Sequence, residues 1–174
     1  MRGERIAAAP LRPHDPRRLG DYELIGRLGQ GGMGVVYLGR NSAGVLVAVK
    51  VVRADLAPDE EFRRRFRSEV DRARQVPPFC TAEVLDADPD HAVPYLVVEY
   101  VDGPSLADVV AERGPLSASN LHGLAIGVAT ALTAIHGAGV IHRDLKPRNV
   151  LLAPGSPKAR RPPPRPASSP SRPT

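Results

Sequence analysis

The stretch "HRDLKPRN", residues 142–149, gathers one acid, three bases, an imidazole and an amide into eight positions. Asp144 can accept a proton from an attacking hydroxyl, and Lys146 can steady an anionic group in transfer. Asn149 can hold a magnesium ion, and His142 and Arg143 would brace the loop. Far upstream, "GQGGMGVV" sets Gly29, Gly31 and Gly34 at the spacing G-x-G-x-x-G-x-V. Glycines so spaced let backbone N–H groups approach phosphate oxygens with no side chain between them. By itself the spacing reads equally well as a plain tight hairpin, and a dinucleotide-binding turn shares it. "VAVK" then ends on Lys50, among Val47, Val49, Val51 and Val52. A lysine buried there needs a partner, and Glu69 is the best candidate. The alternative is a strand-end lysine in water.

These residues need elements to hold them. "YELIGRLG" (22–29), "GVVYLGR" (34–40) and "GVLVAVKVV" (44–52) are β-branched, apolar runs split by glycine-rich turns, and read as an antiparallel meander. The glycines therefore join two antiparallel strands, whereas a dinucleotide-binding turn leads from strand into helix. Alternation puts Ala48 and Lys50 on one strand face. Over 59–76, Phe62, Phe66, Val70 and Ala73 make a single helical stripe. Its acids come early and its arginines late, which suits the helix dipole. Pro77 and Pro78 stop it. Two more strands are expected at 82–88 and 94–101. A short helix ending at Gly114 follows, then a longer one over 117–136 with Leu121, Leu124, Ala125, Val128, Leu132 and Ile135 along one side.

Composition limits the alternatives. Among 174 residues, 42% are hydrophobic, enough for one core, and there is no Trp. The net charge of +5 resides in residues 153–174, which carry Lys158, Arg160, Arg161, Arg165 and Arg172 and no acid. Eight of the 19 prolines lie there too, which argues against helix or strand. A basic tail can touch nucleic acid or anionic membrane, but a solvated tail is the simpler reading, and no specific nucleic acid partner is expected. The single cysteine, Cys80, excludes an internal disulfide and reads as a small core residue in a reducing compartment. No apolar run approaches the roughly 20 residues that span a bilayer, so no membrane segment is expected, and the lone cysteine fits an expected cytoplasmic location. Residues 1–19 read as a flexible leader.

Glycine hairpin, strand lysine, helix glutamate and "HRDLKPRN", in this order, resemble the bacterial, particularly actinobacterial, branch of the eukaryotic-type serine/threonine protein kinases. The resemblance covers residues 20–152. It implies an α+β, protein-kinase-like fold. The N-lobe and hinge (20–103) would be complete, a five-stranded antiparallel sheet with the helix at 59–76 as αC. Residues 104–152 would be the first part of the helical C-lobe. It implies ATP and Mg2+ as cofactors, and a protein with a Ser or Thr hydroxyl as acceptor of the γ-phosphate. In that family Lys50 and Glu69 would be an ion pair positioning the α- and β-phosphates, and Asp144 the catalytic base. Lys146 favours Ser/Thr over Tyr. Leu28, Val36 and Ala48 would enclose the adenine. Val98 would be the gatekeeper, and Glu99 to Val101 the hinge. Gly29, Gln30, Gly31, Gly32, Met33 and Gly34 would lie over the phosphates, and Asn149 would be a metal ligand.

The sequence departs from the family in one respect. A D-F-G aspartate that holds magnesium should follow the base by somewhat under about 20 residues. Those positions fall in "ARRPPPRP", and no Asp or Glu occurs after Asp144. The expectation is therefore a chain truncated or frameshifted after the catalytic loop, with impaired transfer. The helix at 117–136 would lack its main packing partners and be open to self-association. The alternatives are a nucleotide-binding pseudokinase and an interaction module whose "PPPRP" suits SH3-type domains.

Overall fold

The computed structural model describes residues 8–32, 34–78, 81–142, 144–153 and 156–159, with the backbone alone for 153 and 156–159. A six-stranded antiparallel sheet runs in the order β1-β2-β3-β4-β6-β5. Its strands are β1 (Arg18–Leu19), β2 (Tyr22–Gly31), β3 (Gly34–Arg40), β4 (Leu46–Val52), β5 (Val84–Asp88) and β6 (Tyr95–Glu99). Five of the six are the strands expected from the hydrophobic runs. The sixth is the two-residue edge strand β1, which the expected five-stranded sheet omitted because a pair so short has no periodicity to read.

The sheet's two faces follow from strand alternation. Val47, Val49 and Val51 of β4 join Leu19, Leu24, Tyr37, Tyr95 and Val97 in one buried cluster. Val52 points the other way, into a cluster with Phe62, Phe66 and Val70 of α1 (Glu60–Arg74). Asp59 caps α1 by accepting from the N–H groups of Glu61 and Phe62, and Glu60 and Glu61 occupy the first turn. The four stripe residues expected from the sequence, Phe62, Phe66, Val70 and Ala73, are its four buried residues. Burying each phenylalanine contributes roughly 1.5–3 kcal/mol.

Two expectations for the ends need correction. Residues 8–19 are not a flexible leader. Ala9 forms an antiparallel bridge with Arg27, Leu11 packs on the first cluster, and Leu19 is within it. Hydrophobic and charged contacts to distant strands hold this segment, and local composition could not show them. At the other end, β7 (Val150–Ala153) pairs with β8 (Ser156–Ala159) despite Pro157. A two-stranded edge tolerates a proline that a central strand would not. Residues 1–7 and 160–174, Met33, Phe79, Cys80 and Arg143 lie outside the described residues.

After the hinge come α2 (Leu106–Arg113) and α3 (Ala118–Gly137). Ser105 and Asp108 close a reciprocal capping box on α2, and Gly114 ends it with φ of 78°. Ala131 and Ile135 of α3 pack on Val76, while Leu121 and Ile126 stand 56% exposed. At 20 residues, α3 is long and apolar enough to cross a membrane by length and composition, contrary to the expectation of no such run. The discrepancy arises because alanine and glycine fill the spaces between its larger apolar residues.

Candidate active site

The ladder registers bring four of the predicted nucleotide residues, Val36, Ala48, Lys50 and Val98, onto one face. Gly29 lies opposite Val36, Val36 opposite Lys50, and Lys50 opposite Leu96. One step along, Leu38, Ala48 and Val98 are aligned across β3, β4 and β6. Residues directly opposite in an antiparallel ladder share a face, so Val36, Ala48, Lys50 and Val98 line the same side. Leu38 belongs to that row and was not among the expected residues. The alternation of Val36 with Leu38 was the available signal. The α1 helix covers this face, since its phenylalanines pack with Val52 and Leu96. Lys50 and Glu69, both half-buried, therefore belong to adjacent layers.

The glycines of the β2–β3 hairpin are not equivalent. A Cβ on Gly29, Gly31 or Gly32 would meet no atom within 4 Å. On Gly34 it would lie 1.9 Å from the Val51 carbonyl oxygen, so only glycine fits where β3 crosses β4. The first positions keep space above the hairpin open, and the last fixes its base. Gln30 lies opposite Val35, and Leu28 is half-buried on β2.

At the hinge, the Glu99 N–H donates to the Glu83 carbonyl at 2.8 Å, and Val101 is buried. This bond ties β6 to the start of β5 just before the chain leaves the sheet.

The loop at 142–149 converges on Asp144. Its Oδ1 lies 2.9 Å from Lys146 Nζ, and its Oδ2 accepts from Asn149 Nδ2 at 2.9 Å. The same amide nitrogen donates to the Asp144 carbonyl at 2.8 Å, and the Asp144 N–H donates to the His142 carbonyl at 2.8 Å. A 3₁₀ turn at Pro147–Asn149 closes the loop, its Asn149 N–H reaching the Lys146 carbonyl. The hydrogen bond from Lys146 holds the Asp144 carboxyl below the usual range. Burial opposes it, and the Asn149 bond and the charges of Lys146 and His142 add to it. Asp144 is thus a carboxylate at neutral pH, which a proton acceptor must be. His142, two residues before it, is buried at 4% exposure.

Asn149 turns its amide nitrogen to Asp144, which leaves the amide oxygen for a cation. Magnesium demands close to six oxygen ligands and usually keeps several waters. Among the described residues no cluster of three or more His, Cys, Asp or Glu offers a ready-made metal site.

A glycine hairpin over a lysine-bearing sheet, a helix on the same face, and a loop that holds an ionised aspartate are the parts that the sequence resemblance led one to expect together. Residues 22–159 match the family described as "Protein kinase domain", and the chain belongs to that family. Serine/threonine-protein kinase AfsK of Streptomyces coelicolor is 55% identical over 148 residues, 85% of this chain and 18% of that protein. AfsK of Streptomyces griseus is 54% identical over 148 residues, again 18% of its length. The crystal structure of the PknI kinase domain of Mycobacterium tuberculosis superimposes with a TM-score of 0.70 at 31% identity, over 81% of this chain and 57% of that one. The chain thus spans less than a fifth of the AfsK proteins and over half of a solved kinase domain.

Proposed function

We propose that this chain carries the ATP-binding half and the catalytic loop of a serine/threonine protein kinase. The γ-phosphate of ATP would go to a Ser or Thr hydroxyl of a protein substrate. The observation that carries the reading is the division of the Asp144 carboxylate between Lys146 and Asn149, 2.9 Å from each. A carboxylate held this way keeps its charge and a fixed direction, as a group receiving the acceptor proton requires. Lys146 is then beside the reacting oxygens and can stabilise charge that develops on the phosphoryl group.

In this reading the hairpin Gly29–Gly34, Gln30 and Met33 included, covers the phosphates. Lys50 and Glu69 pair to hold them. Leu28, Val36, Ala48 and Val98 enclose adenine, and Glu99 to Val101 meet its edge. Magnesium, when bound, supplies charge neutralisation across the phosphates, and Asn149 would be one of its ligands. With no acid after Asp144 the remaining ligands are not in this sequence. Positioning and charge neutralisation supply most of the catalysis in this reaction class, so this chain alone binds nucleotide and transfers phosphate at background level. ATP as donor puts the domain in the cytoplasm.

The test is a pair of measurements on the purified 174-residue chain. Nucleotide affinity should fall in Lys50→Met and stay near wild type in Asp144→Asn. Radiolabelled phosphate incorporation should remain at background in all three proteins. Transfer abolished by both substitutions would show the chain to be a working kinase unaided. Absence of nucleotide binding would leave only the reading as an interaction module.

A further inference from the structure

Two irregularities interrupt the β2–β3 ladder, between Leu24 and Gly26 and between Arg27 and Gly29. Bulges bend and twist a hairpin and weaken its pairing, and here they bracket Arg27. At that point a second segment of chain takes hold. Ala9 and Arg27 exchange both backbone hydrogen bonds, at 2.9 and 2.7 Å. Leu11 packs on the sheet, and a turn closed by Asp15 N–H to the Arg12 carbonyl brings Asp15 over the hairpin. The Asp15 carboxylate accepts from Arg27 Nη1 at 2.6 and 2.7 Å and from the Tyr37 hydroxyl at 2.8 Å. It also takes the Arg12 N–H at 2.7 Å.

Arg27 and Tyr37 lie opposite each other on β2 and β3, so one carboxylate ties both strands. The Arg27 and Asp15 side chains are 9% and 8% exposed, an ion pair well out of water. The guanidinium continues past it: Nη2 donates to Gln30 Oε1 at 2.9 Å, inside the glycine run. It also sits 5.7 Å over the Tyr37 ring. The strap rests on bare backbone, because a Cβ on Gly26 would meet the Ala8 Cβ at 2.8 Å and the Ala9 oxygen at 3.1 Å.

We propose that residues 9–15 are a strap that fixes the height of the glycine hairpin over the nucleotide, with Asp15 as its positioning residue. Glycines give the hairpin the freedom to approach phosphates, and the same freedom must be lost on binding. The strap removes part of that freedom beforehand, along the path Asp15, Arg27, Gln30. Its hydrogen bonds and ion pair go to the hairpin alone, while β4 and β6 meet it only through the apolar contact of Leu11 and are themselves paired on both sides. The inference rests on the reading of the hairpin as the phosphate cover.

The experiment uses the full chain in three forms: wild type, Asp15→Asn, and Gly26→Val, which lifts the strap while leaving the ion-pair residues intact. Amide hydrogen exchange is followed in β2, β3, β4 and β6, together with affinity for a fluorescent ATP analogue. Both variants should speed exchange at residues 27–30 and 35–37 while Val47 to Val51 keep wild-type protection. Both should weaken nucleotide binding about threefold to tenfold, the scale of ordering one or two side chains. Unchanged hairpin exchange in both variants, or equal acceleration of all four strands, would overturn the proposal. If the wild type binds no nucleotide, the phosphate-cover reading fails, and the exchange pattern alone decides whether the strap holds the hairpin.

Discussion

Replacing Gly34 by alanine should damage the protein far more than replacing Gly31, though both belong to one glycine pattern. At Gly34 the new methyl would start 1.9 Å from the Val51 oxygen, 3.0 Å from its carbonyl carbon and 3.3 Å from the Val52 Cα. All three are backbone atoms, so no rotamer change relieves the clash. Moving the Cβ from 1.9 Å to an admissible 3.0 Å requires β3 and β4 to part by about 1 Å at their junction. Overpacking of this kind costs about 1–3 kcal/mol, and a strained ladder bond adds about 1 kcal/mol. Together these come to about 2–4 kcal/mol, and for a chain of this size each kcal/mol lowers Tm by about 2–4 °C, so the melting point should fall by at least about 4 °C. Gly31→Ala and Gly29→Ala enter open space and should stay within about 0.5 kcal/mol of wild type. Thermal unfolding followed by far-ultraviolet circular dichroism would compare the three. If Gly34→Ala melts with Gly31→Ala, the close crossing of β3 and β4 does not exist in solution.

Three further outcomes are expected. Phe66 is 1% exposed and its ring is 6.2 Å from that of Phe62, so Phe66→Ala should cost about 3–5 kcal/mol by urea denaturation. In native-state hydrogen exchange, amides of α3 should open faster than those of β4, because Ala131 and Ile135 are its only buried residues. Strong protection along α3 would show that another surface, such as a second copy of the chain, covers it. The last concerns acid. Burial alone would raise the Asp15 carboxyl, but hydrogen bonds from Arg12, Arg27 and Tyr37 outweigh it and hold it below the ordinary range. A depressed carboxyl contributes stability that is present above its unfolded value and lost as pH falls through the folded one. The near-ultraviolet tyrosine signal should therefore hold at mildly acid pH and change only in stronger acid, and Asp15→Asn should lack that step.

What the sequence made legible was whatever repeats locally. The stripe of α1 was readable because Phe62, Phe66, Val70 and Ala73 recur at helical spacing. Ala48 and Lys50 were readable as one face of β4 because strands alternate, whereas Val36 and Val98 came only from the family resemblance, since cross-strand register leaves no local signal. The same reasoning placed Leu121 and Ala125 of α3 on an apolar side, yet both are exposed. Periodicity names the face that could be covered and is silent about what covers it. The Asp15–Arg27–Tyr37 cluster was illegible for a different reason. "HDPRR" looks like any polar leader, and its meaning comes from partners 12 and 22 residues away in sequence. The β8 strand was hidden by its composition, since proline counts against a strand without regard to where the edge lies.

Ser105 bridges Leu151, and the Leu152 N–H reaches the Pro104 carbonyl at 2.9 Å. Topologically, everything between these points is a handle: the backbone leaves the hinge, forms both helices and the aspartate loop, and returns to its point of departure. The two ends of a handle need no long connection to replace it. A short linker from Pro104 to Leu152 would span the gap and leave the six-stranded sheet with α1 a continuous chain. Conversely, a protease nick between α2 and α3, at the exposed Pro115 or Ser117, would sever the chain without severing the molecule, since the Ser105–Leu151 bridge, the Leu152–Pro104 bond and the packing of α2 on β7 still join both fragments.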